Sequence, residues 1–231
     1  MQAIIMAGGA GSRLRPLTND LPKPMVKIID KPVLEIIIER LRDYGVTDIG
    51  VTVGYKSDAI TGHFGDGAKK GVKITYFYEK RPLGTAGGVK QAEKYLNDNF
   101  FVVSGDSFSD VDFDALYARH VEADALGTLA VKMVNDARGF GVVKSNKGII
   151  TSFVEKPDNP TKGYVNTGIY VLKRDILKYV PDGFYDFGRD LFPRLVNNLA
   201  VYKTTAYWND IGTLERYYET NLYAVRQGIY Q

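Results

Sequence analysis

The sequence contains no cysteine and only two histidines, His63 and His120. The first absence excludes disulfides and thiolate metal sites. The second leaves little imidazole for acid–base chemistry. His120 shares a helical face with Phe113, Leu116 and Tyr117, so both histidines read as half-buried helix residues rather than catalysts. No apolar run reaches the roughly 18 residues of a membrane span. The N-terminus lacks a basic region followed by an apolar stretch, so no signal peptide is expected. Net charge is only +3, with both signs spread along 231 residues. That is too mild for nucleic acid but compatible with a small anionic ligand. Internal repeats, low-complexity segments and linker-like composition are also missing. The expectation is a cytoplasmic protein of one domain, residues 1–231, whose 45% apolar residues supply a sizeable core.

Against these absences stands a concentration of glycine near the start. The apolar run Ala3-Ile4-Ile5-Met6 reads as a buried first strand, and Ala7-Gly8-Gly9-Ala10-Gly11-Ser12-Arg13-Leu14-Arg15 follows it. Closely spaced glycines let the backbone turn sharply and bring N–H groups near an anion, most often phosphate. Arg13 and Arg15 close the loop, and guanidinium groups hold phosphate oxygens two at a time. A dinucleotide fingerprint would need a third glycine where Leu14 stands, and a Walker A loop would need Gly-Lys-Ser/Thr where Gly-Ser-Arg stands. An ordinary glycine turn after a strand is the bland alternative.

Further along, Pro22 and Pro24 hold Lys23 in extended chain. Helical spacing of Leu34, Ile37, Ile38 and Leu41 predicts a helix over Val33–Tyr44, with Glu35, Glu39, Arg42 and Asp43 outward and Gly45 ending it. Strands are expected at 49–53, 72–78 and 100–104, and helices at 57–64, from the second glycine-rich junction Leu83-Gly84-Thr85-Ala86-Gly87-Gly88 to Tyr95, and at 112–122. Alternating strands and helices predict an α/β fold: a Rossmann-like mixed, mainly parallel sheet with helices on both faces. Ligands in such sheets bind beyond the carboxyl ends of the strands, where both glycine loops and Asp106 lie. The second half changes style, with strands at 126–134, 138–143, 148–155, 164–172, 201–204 and 206–209, the second and third of them joined by the turn Ser145-Asn146-Lys147. Helical pieces are expected near 175–179 and 189–197. A last helix over 214–227 should bury Leu214, Tyr217, Tyr218, Leu222 and Val225. Its tyrosines (Tyr217, Tyr218, Tyr223, Tyr230) suit intramolecular packing, the preferred reading, or a contact in a homo-oligomer.

Several polar residues stand where chemistry could use them. Asp106 and Asp210 end strands, and such carboxylates hold Mg²⁺ together with phosphate oxygens or simply cap a turn. Pro157 fixes the exit of Glu155-Lys156. Asn166 and Thr167 interrupt an apolar strand and must find partners, either a sugar hydroxyl or neighbouring backbone.

Seven motifs in order carry a resemblance: Ala7-Gly8-Gly9-Ala10-Gly11-Ser12-Arg13-Leu14, Pro22-Lys23-Pro24-Met25, Leu83-Gly84-Thr85-Ala86-Gly87, Gly105-Asp106, Glu155-Lys156-Pro157, Asn166-Thr167-Gly168 and Asp210-Ile211-Gly212. On these the chain resembles the sugar-1-phosphate nucleotidylyltransferases, and among them the mannose-1-phosphate guanylyltransferases and similar heptose- or glucose-1-phosphate enzymes. Ser12 departs from the family's usual threonine. Many relatives continue into a β-helix, whereas this chain ends with its last helix, so regulation or assembly tied to that extension is not implied.

The resemblance implies transfer of a nucleoside monophosphate from an NTP to a sugar 1-phosphate, releasing pyrophosphate, with Mg²⁺ as cofactor. It divides the chain into a nucleotide-binding half (about 1–125), a sugar-phosphate half (about 126–213) and the C-terminal helix (214–231). The backbone at Ala7, Gly8, Gly9, Gly11 and Ser12 would meet the triphosphate. Arg13 would hold pyrophosphate, and Lys23 would bridge phosphates near the α-phosphorus. Asp106 and Asp210 would bind the metal, and Lys156 the sugar phosphate. Gly141, Glu155, Asn166 and Thr167 would line the sugar site, and Glu79 and Gly84 would face the base. A carboxylate at Glu79 only accepts hydrogen bonds, which suits the paired N–H donors of guanine better than uracil or thymine. GTP is therefore the expected donor. Competing readings are a uridylyl- or thymidylyltransferase, a non-catalytic nucleotide-sugar-binding regulatory subunit and a dinucleotide-binding oxidoreductase.

Overall fold

The computed structural model describes residues 1–9, 11–158 and 162–229, with Ser12 described through its backbone only. Ala10 and Tyr230 therefore lie outside the described residues. In chain order the elements are β1 (Gln2–Met6), β2 (Lys27–Ile28), β3 (Lys31–Pro32), α1 (Val33–Asp43), β4 (Asp48–Val53), α2 (Ser57–Phe64), β5 (Lys73–Tyr78), α3 (Gly84–Gln91), β6 (Asn99–Ser104), β7 (Ser107–Ser109), α4 (Phe113–Ala123), β8 (Gly127–Val134), β9 (Gly141–Asn146), β10 (Ile149–Glu155), β11 (Gly163–Lys173), β12 (Leu199–Thr204), β13 (Trp208–Asp210) and α5 (Leu214–Arg226).

Nine strands form one sheet in the order β5-β4-β1-β6-β11-β8-β12-β10-β9. From β5 to β6 every pairing is parallel. Beyond β6 the sheet is mostly antiparallel, and only β8 with β12 runs parallel. The expected mainly parallel sheet is thus corrected to one that is parallel in its first half and mixed in its second. The reason is local: Lys147 and Gly148 both have positive φ, 47° and 81°, so a tight two-residue turn joins β9 to β10 as a hairpin. That turn falls one to two residues later than the expected Ser145-Asn146-Lys147.

The central strands are buried on both faces and alternate between two cores. Ala3, Ile5, Phe101, Val103, Val165 and Val171 pack with α1, α2, α4 and α5, while Ile4, Phe100, Val102, Tyr170 and Leu172 pack with α3 and the segment after β11. Helices therefore cover both faces, four on one and α3 with short irregular turns on the other. Asp112 caps α4 by accepting from Ala115 N–H at 2.9 Å, and Thr213 caps α5. α3 stops at Gln91, short of Tyr95, and the 189–197 region forms one π turn and one 3₁₀ turn.

Two expectations about faces fail for a shared reason, that a polar partner or a small side chain beats periodicity. Glu35 is buried, accepting from Lys70 Nζ at 2.6 Å and pairing with His63 at 2.8 Å. Burial raises its pKa, but these partners outweigh that and hold it below the usual range. On α5, Tyr218, Leu222 and Val225 are 62%, 56% and 51% exposed, while Thr220 and Ala224 are buried. Tyr223 sets that rotation by stacking on Tyr207 at 3.6 Å and donating to Asp110 at 2.8 Å.

His120 is 1% exposed and lies 3.1 Å from the Thr128 hydroxyl and 3.2 Å from Asn99 Oδ1. Burial, and then the Lys173 charge, push its pKa down to about 4. The unfolded imidazole protonates near 6.5, so below that pH the unfolded chain takes up a proton the folded chain refuses. Stability from this group is complete above pH 6.5 and drains away as pH falls toward 4, by up to about 3 kcal/mol. The expected result is a urea midpoint that drops across this window. An NMR titration in which folded His120 protonates near pH 6.5 would overturn it.

Candidate functional site

β1 pairs with β4 on one side and β6 on the other, so the chain reverses its direction of travel across the sheet between β1 and β6. Side chains and loops at the carboxyl ends of such a pair border a crevice. Ala7-Gly8-Gly9 leaves β1 there, tied by Ala7 N–H to Thr52 O at 3.0 Å, and Gly105-Asp106 leaves β6 beside it, tied by Gly105 N–H to Met6 O at 2.9 Å.

The crevice opens into two cavities. One, of about 310 Å³, is lined by Gly8, Gly9, Lys23, Glu79, Gly84, Ser104 and Asp106, with Phe184 and Asp186 reaching in from the second half of the chain. The other, of about 200 Å³, is lined by Ser104, Asp106, Phe140, Gly141, Glu155, Asn166, Thr167, Trp208 and Asp210. Ser104 and Asp106 belong to both walls.

Asp106 is held from two sides. Lys23, itself buried, makes an ion pair with Oδ2, and the Ser104 hydroxyl donates to Oδ1 at 2.6 Å. Burial pushes its pKa up, but the Lys23 charge and the hydrogen bonds from Lys23 and Ser104 prevail and keep it low. Asp210 pairs in register with Ser107 across the β7–β13 ribbon, which brings it beside Asp106, and Ile211 N–H bonds Asp106 O at 3.1 Å. Its Oδ1 accepts from Gly212 N–H at 2.6 Å and from Arg216 at 3.3 Å.

Glu79 packs against the glycine loop, because a Cβ on Gly8 would lie 2.9 Å from its Oε1. Leu83 N–H donates to Oε2 at 3.1 Å. Burial raises its pKa, opposed by the Leu83 N–H and the Thr52 hydroxyl. Gly84 has φ +72°, and a Cβ there would meet Tyr185 O at 2.6 Å. This glycine is required by the close approach of the 183–187 segment to the first turn of α3.

In the second cavity Glu155 sits between backbone at Gly141 and Gly188. The register of β11 against β8 slips between Asn166 and Tyr170, lifting Thr167-Gly168 off the ladder. Asn166 Nδ2 donates to Tyr170 OH at 2.9 Å and its Oδ1 accepts from Gly168 N–H at 3.2 Å. The Thr167 hydroxyl is buried and donates to Ala130 O at 2.8 Å, so its side chain serves the backbone while its carbonyl accepts from Trp208 Nε1 at 2.9 Å. Arg13 and Lys156 are exposed and line neither cavity. Arg13 follows the glycine loop on a 3₁₀ turn, and Lys156 adjoins Glu155, with Nζ 3.4 Å from Oε1. Gly11 packs against Lys23 rather than lining the cavity. Among the described residues no group of three or more His, Cys, Asp or Glu is arranged to hold a metal, and no helix is long and apolar enough to cross a membrane.

Residues 2–227 match the family model described as nucleotidyl transferase. The chain belongs to the nucleotidyl transferase family. It is 36% identical over 223 residues to a D-glycero-alpha-D-manno-heptose 1-phosphate guanylyltransferase of Campylobacter jejuni, covering 94% of this chain and 97% of that one. It is also 36% identical to a UTP–glucose-1-phosphate uridylyltransferase of Synechocystis, covering 95% of this chain, and 34% identical to a mannose-1-phosphate guanylyltransferase of Mycobacterium tuberculosis, covering 93%. The matched part spans 62% of each of those two relatives. The crystal structure of HddC from Yersinia pseudotuberculosis superposes with a TM-score of 0.83 at 32% identity, covering 96% of this chain and 98% of that one.

Around the crevice of this nucleotidyl transferase stand residues that no motif exposed. Phe184 and Asp186 lie in a stretch without recognisable period, and only their distance from the glycine loop in sequence hid them. Arg216, in the first turn of α5, stacks on Phe140 at 4.3 Å and pairs with Asp210. A cation six residues after a candidate metal carboxylate was the available signal.

Proposed function

We propose that this nucleotidyl transferase moves a nucleoside monophosphate from GTP to mannose 1-phosphate or a heptose 1-phosphate, releasing pyrophosphate. The observation that carries the reading is the meeting of two cavities at Ser104 and Asp106. The larger would take the triphosphate and the smaller the sugar phosphate. The acceptor phosphate is ionised at neutral pH, so it attacks the α-phosphorus without a protein base, and pyrophosphate leaves from the opposite side. The protein's share is alignment and charge neutralisation. Lys23 would reach phosphates from the cavity wall, Arg13 would hold pyrophosphate and Lys156 the sugar phosphate from the rim.

The donor set suits Mg²⁺, which takes one or two carboxylates and completes its shell with water and phosphate oxygens. Asp106 and Asp210 would hold it, and it would supply positive charge at the α-phosphate. Two further observations support this placement: both residues line the smaller cavity at one end of the β7–β13 ribbon, and each carboxylate is balanced by a cation, Lys23 or Arg216.

Guanine is favoured because Glu79 lines the larger cavity and a carboxylate keeps free lone pairs after accepting the Leu83 N–H. The test is a matrix of GTP, UTP, dTTP, ATP and CTP against sugar 1-phosphates, scored by product mass and pyrophosphate release. GTP should give the highest kcat/KM. A clear preference for UTP or dTTP would overturn the guanine reading. No product from any pair would favour a non-catalytic nucleotide-sugar-binding subunit.

A further inference from the structure

Phe184 is 52% exposed, yet the three residues that follow it are firmly tied to the start of α3. Tyr185 N–H donates to Leu83 O at 2.8 Å, and Tyr185 O accepts from Ala86 and Gly87 N–H at 2.9 and 3.0 Å. Thr85 donates from its amide and its hydroxyl to Asp186 Oδ1, both at 3.0 Å. Phe187 N–H donates to the Thr85 hydroxyl at 2.9 Å. These bonds fix the chain on the C-terminal side of Phe184 to the first turn of α3. The ring is thus carried to the wall of the larger cavity by its backbone, without burial in the core. Arg189 lies over it, its guanidinium carbon 5.0 Å from the ring centre, and is tied in turn to Asp190 at 3.1 Å.

Among the described residues lining that cavity, Phe184 is the one aromatic side chain. Lys23, Asp106 and Asp186 bring charge to the wall, and Glu79 is tied through Leu83, whose N–H it accepts and whose carbonyl accepts from Tyr185 N–H, to the segment that carries Phe184. An apolar ring beside a carboxylate suits a flat heterocycle with N–H groups on its edge: the ring takes the face and the carboxylate takes the edge.

We propose that Phe184 is the platform on which the nucleobase of the bound triphosphate stacks. The proposal rests on reading this cavity as the nucleotide site. It divides recognition of the base between two residues. Glu79 reads the edge and discriminates between bases. Phe184 contacts the face, which every base possesses, and raises affinity without selecting. It also makes the second half of the chain a contributor to nucleotide binding.

The test compares wild type, F184A and F184Y in steady-state kinetics with GTP and with UTP, and in inhibition by inorganic tripolyphosphate, which has no base. F184A should raise KM for both nucleotides by a similar factor, about 5- to 100-fold, with F184Y close to wild type. KM for the sugar 1-phosphate and inhibition by tripolyphosphate should change less than about twofold. A melting curve checks that this exposed substitution leaves the fold intact. Unchanged nucleotide KM in F184A overturns the proposal alone, as does an equal loss of tripolyphosphate binding, which would place the effect on the phosphates. A wild-type protein that binds no nucleotide overturns the reading of the cavity itself.

Discussion

Asp106→Asn should fold and yet turn over about 10²- to 10³-fold more slowly, the scale on which removal of one charge-stabilising group at a reacting centre registers. The substitution keeps the shape and a hydrogen-bonding oxygen for Ser104 but removes the charge that both cavities share. It also strips Lys23 of its ion-pair partner in a buried setting, at a cost of about 1–3 kcal/mol. Pyrophosphate release measures the first effect and thermal melting the second. Equilibrium dialysis with labelled GTP shows whether the variant still loads nucleotide. Retention of more than about a tenth of the wild-type rate would remove Asp106 from the reacting centre.

Gly84→Ala should lower stability by about 3 kcal/mol and open the nucleotide cavity. An L side chain at φ +72° is strained, and its Cβ would press on Tyr185 O. The relief available is for the 183–187 segment to lift from α3, which breaks the bonds from Ala86 and Gly87 N–H to Tyr185 O. For a chain of this length the expected fall in Tm is roughly 6–12 °C. KM for the nucleotide should rise with it, since Phe184 and Asp186 ride on the same segment. A melting curve matching wild type would show that the contact is softer than its geometry.

The parallel half of the sheet was legible because two of its strands end in a signal that sequence can carry, three glycines after β1 and Gly-Asp after β6, and because helical spacing marks α1 between them. That Gly8, Lys23 and Asp106 stand together at the cavity was legible for the same reason. The mixed half was less so. Whether a strand after β6 runs parallel or antiparallel depends on its neighbour in the sheet, and although the turn between β9 and β10 was expected within two residues of its place, nothing in it says which strands the hairpin lies beside. Glu35 and α5 misled because periodicity describes which residues are apolar, while Lys70, His63 and Tyr207 decide which face turns inward. Phe184 was invisible as a site residue because nothing in its own neighbourhood distinguishes it. Only the folded chain carries it to the cavity wall.

The slip in β11 has an arithmetic of its own. Between Asn166 and Tyr170 the strand advances four residues while β8 advances two, from Val131 to Leu129. The surplus is even, so Val165, Ile169 and Val171 stay in one core and Tyr170 and Leu172 in the other. Deleting one residue here would send hydrophobic and polar positions to opposite sides for the remainder of the strand. Deleting a pair would merely flatten the wall of the smaller cavity. A lineage, or an engineer, reshaping that wall is therefore confined to exchanging side chains or changing length two at a time.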